Sequence, residues 1–438
     1  MMRWLKSLHW SRWIEAAFVV VILVSVVQTL RHLQIYGLLP QPYFLDTNDT
    51  FMDWFNVANW AHSPGAYDTY RSVYPPLVFV VVKLLSPWSC NIFDKIYSRS
   101  CDTFFPWEMG LFFVTNGVLA FLCFRKNDRS TALMRTLALM FGLPMLFGVE
   151  RGQLAIPTMI VFILGYGNLL KSARWKWLNI ALAVNSKPYL ILTLIPQFLR
   201  RRWVMIECCG VAIVTIYLFT FGVKGEGSLM DIFRNIAMFT DVPVIMTFQS
   251  AFYQPSYVGV VNALKTTFPF MFYLGSEPVD AMLFWFPAAT MTGIVGVVLC
   301  FLLAALRPFA VPVRRLTALS ILLVLTTTLA GGYTQIFLFF LVFFEPWRGP
   351  ARIAALVCVY LLSISTDIPL IVIGHGLEQS YLSGRLVTWN VGVNLGELVR
   401  PGLILVIEYS LVAQTLWDIW RARGSVAAPR PAAIAQPA

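Results

Sequence analysis

Clusters of basic residues stand at the ends of long apolar runs, and that arrangement constrains the fold more than any other feature of the chain. The clusters are Arg3/Lys6/Arg12, Arg125/Lys126/Arg129, Lys171/Arg174/Lys176, Arg200/Arg201/Arg202, Arg307/Arg314/Arg315, Arg348/Arg352 and Arg421/Arg423. The runs lie near 13–33, 107–124, 132–149, 153–170, 203–222, 282–306, 316–332, 333–347, 353–373 and 401–420. Apolar stretches of about 20 residues suit a bilayer core, and Lys and Arg gather on its cytoplasmic side. Only 13% of the residues are charged and 58% are hydrophobic, whereas soluble domains are about a quarter charged. The excess of Lys and Arg, 33 against 22 acidic residues, therefore reads as membrane topology rather than nucleic-acid binding. The expected fold is an all-α polytopic membrane protein with both termini inside. Residues Trp13 to Leu30 are long enough to span, and no small-residue cleavage site follows them, so no signal peptide is expected.

Two stretches do not fit full crossings. Residues 74–86, YPPLVFVVVKLLS, are short, and 177–199 lies between two basic clusters with KPY at its middle. Reading both as partial or broken keeps every basic cluster on one side. The expectation is ten full crossings plus two partial ones, a bundle of about 10–12 helices. Broken backbone at membrane depth needs protein or water to satisfy it, which hints at a cavity. The polar loops 35–73, 87–106, 223–280 and 374–400 then all face outside. Residues 1–423 read as one domain, and 424–438 as an Ala/Pro tail without order. No 20–50-residue repeat is visible. Cys123, Cys208, Cys209, Cys300 and Cys358 lie in or beside apolar segments as packing residues. Cys90 and Cys101 flank the polar loop CNIFDKIYSRSC, and a disulfide is an option if that loop faces an oxidising compartment.

Charge is sparse, so its placement is informative. The first outer loop contains DTNDTFMDWFN (46–56), with Asp46, Asp49 and Asp53 within eight positions. Phe51, Trp54, Phe55 and Ala58 follow i, i+3, i+4, i+7 spacing, opposite Asp53, Asn56, Asn59 and Trp60. A short amphipathic helix on the membrane surface is expected. Asp49 or Thr50 suits its N-cap and Asp53 its third position. Capping accounts for one or two carboxylates, and a catalytic role for at least one stands beside it. Tyr67, Tyr70 and Tyr74 suit either an interfacial belt or a binding role, and Pro75 and Pro76 suit a helix's first turn. Glu150 and Arg151, in VERGQLAIP, either pair with each other or serve a site. Lys187, in NSKPYLI, sits mid-run beside a proline. A cation there is a functional candidate suited to a phosphate, with snorkelling as the plain alternative. Lys83 reads as a snorkelling residue.

These segments, DTFMDWFN, YDTYRSVYPPL, RGQ and NSKPYLILTLIPQFLRRRW in that order, resemble the polyprenol-phosphate-dependent glycosyltransferases of GT-C type. The match is best to glycosyltransferase family 87, alpha-mannosyltransferases of envelope glycolipid synthesis. QSAFYQPSYVGVVNALK (249–265) is a weaker echo, and the likeness covers the first 60% or so of the chain. The resemblance implies a GT-C-like bundle with a catalytic first external loop. It implies transfer of a sugar, with inversion, from a polyprenyl-phosphate carrier to a hydroxyl of a glycolipid or glycan on the outer face of the plasma membrane. Asp53 matches the family's general base, with Asp49 second and Asp46 third. Lys187 and Arg151 would hold the carrier phosphate, and Gln153 would line the same pocket, with Glu150, Tyr74 and His375 as further substrate-binding candidates. The family's Gly-Gln-Val-Asn reads GQLA here, losing its Asn at Ala155. The later membrane-edge His is missing where GGYTQ (331–335) stands, and these departures bear on which sugar is carried.

Elementary chemistry is consistent with that expectation. A sugar phosphate already has a good leaving group, so the leaving side needs positive charge and the acceptor side one base. Two flanking carboxylates would instead suit hydrolysis. DTND…D offers oxygen ligands, but no nucleotide diphosphate needs neutralising, so neither a divalent metal nor another cofactor is expected. The expected partners are the lipid-linked donor, a glycolipid or glycan acceptor and membrane lipids, not nucleic acid. Two rivals remain. A transporter would place its acids at the bilayer midplane within repeats. A lipid-linked glycan ligase or polymerase would use a late outer loop, here holding Asp367, His375, Glu378 and Arg385.

Overall fold

The computed structural model describes residues 2–44, 49–224, 227–241, 253–266, 275–327 and 330–422. Asp46, part of the 249–265 segment and the 424–438 tail lie outside them. The chain is mostly helical, with five helices long and apolar enough to cross a membrane: Trp10–Tyr36, Phe105–Asn127, Ala132–Glu150, Trp203–Lys224 and Ser276–Leu306. Most of the remaining expected crossings are shorter. Ala155–Tyr166, Val313–Thr327, Gln335–Val342 and Pro350–Leu362 run 12, 15, 8 and 13 residues, about 12–22 Å at 1.5 Å per residue, short of a core about 30 Å thick. They are packed inside the protein. Every residue of Gln335–Val342 is buried, as a helix apolar all round after its first residue requires, and Phe337, Phe339 and Phe340 are among the large side chains of that core. The last helix, Leu395–Arg421, is 27 residues long and carries Glu397, Arg400, Glu408 and Asp418 among its apolar positions.

Both stretches expected to be partial are so. Pro76–Leu85 is a ten-residue helix with its prolines at the start. The 177–199 stretch breaks at Lys187, which is extended (φ −137°, ψ 98°) between the helix Ala173–Ser186 and a 3-10 segment Pro188–Leu194. The proline lacks an N–H and cannot continue the α-helical ladder. Ala132–Glu150 also has a joint: Gly142 is extended, and Pro144 starts the second half.

Among the described residues, cations of several basic clusters bond to neighbouring segments. Lys126 Nζ donates to Asn168 O at 3.3 Å, Arg200 Nη2 to Val311 O at 2.5 Å and Arg307 Nη1 to Ile419 O at 3.5 Å. Arg314 lies over the Phe344 ring at 3.9 Å. Beside them Arg315 and Arg352 share Glu345 and Asp418, and Arg135 pairs with Glu15 at 2.9 Å.

One part of the chain departs from an all-α fold. Within 353–373 the helix stops at Leu362, and the chain then forms β1 (Pro369–Gln379), paired antiparallel with β2 (Leu386–Asn394). The expected late loop is thus a hairpin. It docks through Ser383 Oγ to Gly37 O (2.7 Å), Arg385 Nη2 to Gln34 O (3.0 Å) and Asn394 Nδ2 to Gln41 Oε1 (2.8 Å). Cys90 and Cys101 are joined as a disulfide.

Candidate functional site

The expected amphipathic helix exists as Met52–His62, but its apolar face is turned into the protein, not a membrane surface. Trp54 and Phe55 are 1% exposed and Ala58 is fully buried. Phe51, Trp54 and Phe55 surround Phe105 at ring distances of 5.0–5.4 Å. Its N-cap is Phe51 in the left-handed region (φ 64°), with no side-chain cap bond, so neither Asp49 nor Thr50 caps it. Tertiary pairing fixes that start instead: Phe51 N–H donates to Glu150 O (2.8 Å) and Asp53 N–H to Arg151 O (3.1 Å). Gly152 (φ +63°) makes this approach possible. A Cβ there would meet Phe51 O and Trp54 Cβ at 3.0 Å each, so only glycine fits without displacement. From the other side Arg99, on the disulfide-closed helix Lys95–Cys101, donates to Thr50 O at 3.0 Å.

The carboxylates freed from capping face Arg151. Asp49 Oδ2 is 2.6 Å from Arg151 Nη1, whereas Asp53 Oδ1 is 3.4 Å from Nη2. Asp49 is the closer charge, while a hydrogen bond runs from Arg151 Nη2 to Asp53 Oδ1. Arg151 is thereby bonded to the aspartates rather than to its neighbour Glu150. Glu150, 9% exposed, has Thr50 as a side-chain hydrogen-bond partner. Asp53 Oδ2 accepts from Gln153 Nε2 at 2.8 Å, and Gln153 Oε1 accepts from Lys187 Nζ at 2.7 Å. One amide, 1% exposed, thus bridges a carboxylate and an ammonium.

Lys187 is 5% exposed. Its ammonium points at two aromatic faces, Tyr74 at 4.8 Å and Tyr333 at 5.5 Å, which favour a desolvated cation. It lies outside the five long spans, and burial lowers its pKa to about 8, opposed by the charge of Asp53. Tyr333 comes from the 3-10 turn Gly332–Thr334. Tyr189, two residues past Lys187, reaches the same turn through Thr334 Oγ1 at 3.5 Å.

The structure thus brings Asp49, Asp53, Tyr74, Glu150, Arg151, Gln153 and Lys187 together. His375 is not: it is exposed on β1, opposite Asn390. Tyr67 is buried and Tyr70 stacks on Trp60 at 5.6 Å, while Lys83 is exposed. Tyr333 was marked in the sequence only as a departure from a family pattern. Among the described residues no group of three or more His, Cys, Asp or Glu is close enough to hold a metal ion. No family model, curated protein or solved structure matches this chain.

Proposed function

We propose that this is a membrane glycosyltransferase that moves a sugar, mannose in the leading reading, from a polyprenyl-phosphate carrier to a hydroxyl of a glycolipid or glycan on the outer face of the membrane. The observation that supports it best is the run Asp53–Gln153–Lys187, which joins a carboxylate 22% exposed to a buried, aromatic-boxed ammonium through one amide. Transfer from a sugar phosphate uses a base for the acceptor hydroxyl and positive charge for the leaving phosphate.

In this reading Lys187 and Arg151 take the carrier phosphate. Asp53 accepts the proton of the acceptor hydroxyl as its oxygen attacks the anomeric carbon. The bond from that carbon to the phosphate oxygen breaks, the phosphate keeps the electron pair, and configuration inverts. Asp53 suits the base better than Asp49, because it is the carboxylate that Gln153 ties to Lys187, whereas Asp49 meets Arg151. The bundle accords with a lipid donor, since Arg151 and Gln153 follow directly on the end of the membrane-long helix Ala132–Glu150. The hairpin placement of His375 lends no support to a ligase reading.

The test is transfer from a panel of polyprenyl-phosphate sugars to a membrane glycolipid extract, with purified protein in lipid. Asp53→Asn should remove activity and Asp49→Asn should reduce it less. No transfer from any lipid-linked sugar by folded protein would sink the reading.

A further inference from the structure

In and beside the basic clusters are two kinds of cation. Arg315, Arg352 and Arg135 are bonded to Glu345, Asp418 and Glu15. Lys126, Lys176, Arg200, Arg202 and Arg314 come from four separate segments, and among the described residues no ion pair ties any of them to a carboxylate. Arg314 lies over the Phe344 ring at 3.9 Å, that ring packs at 5.3 Å on Phe124, two residues before Lys126, and Arg200 bonds Val311 O, three residues before Arg314. Nearby acids are engaged elsewhere, Asp128 by Ser130 and Thr131, Asp418 by Arg315 and Arg352. Exposed Glu207, one turn beyond Trp203, reduces the net charge without cancelling five cations.

We propose that this patch binds the headgroup of an anionic phospholipid. Two further observations support it. Arg200 Nε is a buried donor without a partner, which a phosphate oxygen would satisfy. Large apolar side chains border the cations and stand in the open: Trp175 (60% exposed), Trp203 (49%), Phe198 (56%) and Phe309 (78%). Cations beside exposed aromatics match a headgroup with its acyl chains, the rings lying at the headgroup level. A soluble anion would leave those rings unmatched. Burial and then the like charges of Arg314 and Arg202 lower the pKa of Lys176, and burial and Arg202 that of Arg200. A bound anion relieves that crowding.

The experiment is lipid retention. Protein from bilayers of equal phosphatidylglycerol and phosphatidylcholine is extracted and its bound lipids are counted by native mass spectrometry. Wild type should retain phosphatidylglycerol in preference. Lys176→Gln/Arg314→Gln should lower that preference about tenfold, and exposed Arg202→Gln, the mildest change, by a smaller factor. Arg71→Gln/Lys83→Gln, an equal charge loss on exposed residues of other segments, should leave it intact. Unchanged preference in the patch variants, or equal loss in the control, overturns the proposal. Stripping of the lipid by millimolar inorganic phosphate assigns the patch to a soluble anion and overturns it too.

Discussion

Two charged networks occupy the molecule, and they are built on different rules. In the first, Arg315 is 1% exposed and bonds Glu345 at 2.7 Å and Asp418 at 2.5 Å, with Arg352 closing the set from the other side. Two guanidiniums meet two carboxylates. At the Asp53 site two aspartates share one arginine, while the one lysine has an amide and two aromatic faces but no directly bonded acid. The first network is closed and the second is open. A closed buried network fixes the packing of three segments, since removing one member strands the others. An open one keeps its charge available for a ligand, and this difference, more than burial, sets the Asp53 cluster apart from the closed one.

Asp53→Asn should break the open network with the largest effect. The amide keeps shape and a bond to Gln153 but cannot take a proton, so transfer should fall about 10²–10⁴-fold, read as initial rate with saturating donor. Asp49→Asn, which loosens Arg151 alone, should cost far less. Equal losses from both would mean that the two aspartates act as one unit and that Asp53 has no special role.

Glu345→Ala tests the closed network. It leaves two guanidiniums facing one carboxylate and should cost about 3 kcal/mol of stability, read as a lower thermal midpoint in detergent. The rate per folded molecule should stay the same. A loss of rate without loss of stability would show that the closed network communicates with the site.

The Lys187 prediction has a sign fixed by its lowered pKa. With a value of about 8, the ammonium is charged below that pH and neutral above it. If it holds the carrier phosphate, the donor KM should be flat from pH 6 to 7 and rise roughly tenfold by pH 9, because each unit above the pKa removes about nine-tenths of the remaining cation. Lys187→Arg keeps its charge over that range and should lose the slope. An unchanged slope in that variant would assign the titration to another group.

Much of this was readable in the sequence because charge is so scarce. Asp53, Arg151 and Lys187 stand out as expensive residues in apolar surroundings, and Pro188 marks the break beside the lysine. The start of the aspartate helix was not readable. Its left-handed Phe51 is set by a bond to Glu150 O, 99 positions away in the chain, and local cap rules favour Thr50. The hairpin was hidden for another reason. The apolar strand PLIVI of β1 follows the helix Pro350–Leu362 closely, so one continuous run (353–373) masked a change from helical to alternating period. Tyr333 became visible only when the fold set its ring beside Lys187.

His375 offers the smallest expected effect and the sharpest check on the rival chemistry. A ligase or polymerase would use the late outer loop, and in such an enzyme that histidine would be a working residue. Here it points outward from β1, across from Asn390, while the hairpin reaches the aspartate loop through Tyr381, edge-on to Phe51 at 6.2 Å and under Arg99 at 4.0 Å, and not through His375. An exposed strand residue with no buried partner to strand costs within about 0.5 kcal/mol when truncated. His375→Ala should therefore leave both the thermal midpoint and the transfer rate within about twofold of wild type. A hundredfold loss of rate in folded protein would mean that the hairpin carries chemistry, and the open network around Asp53 would then have to be reread as the wall of a larger site.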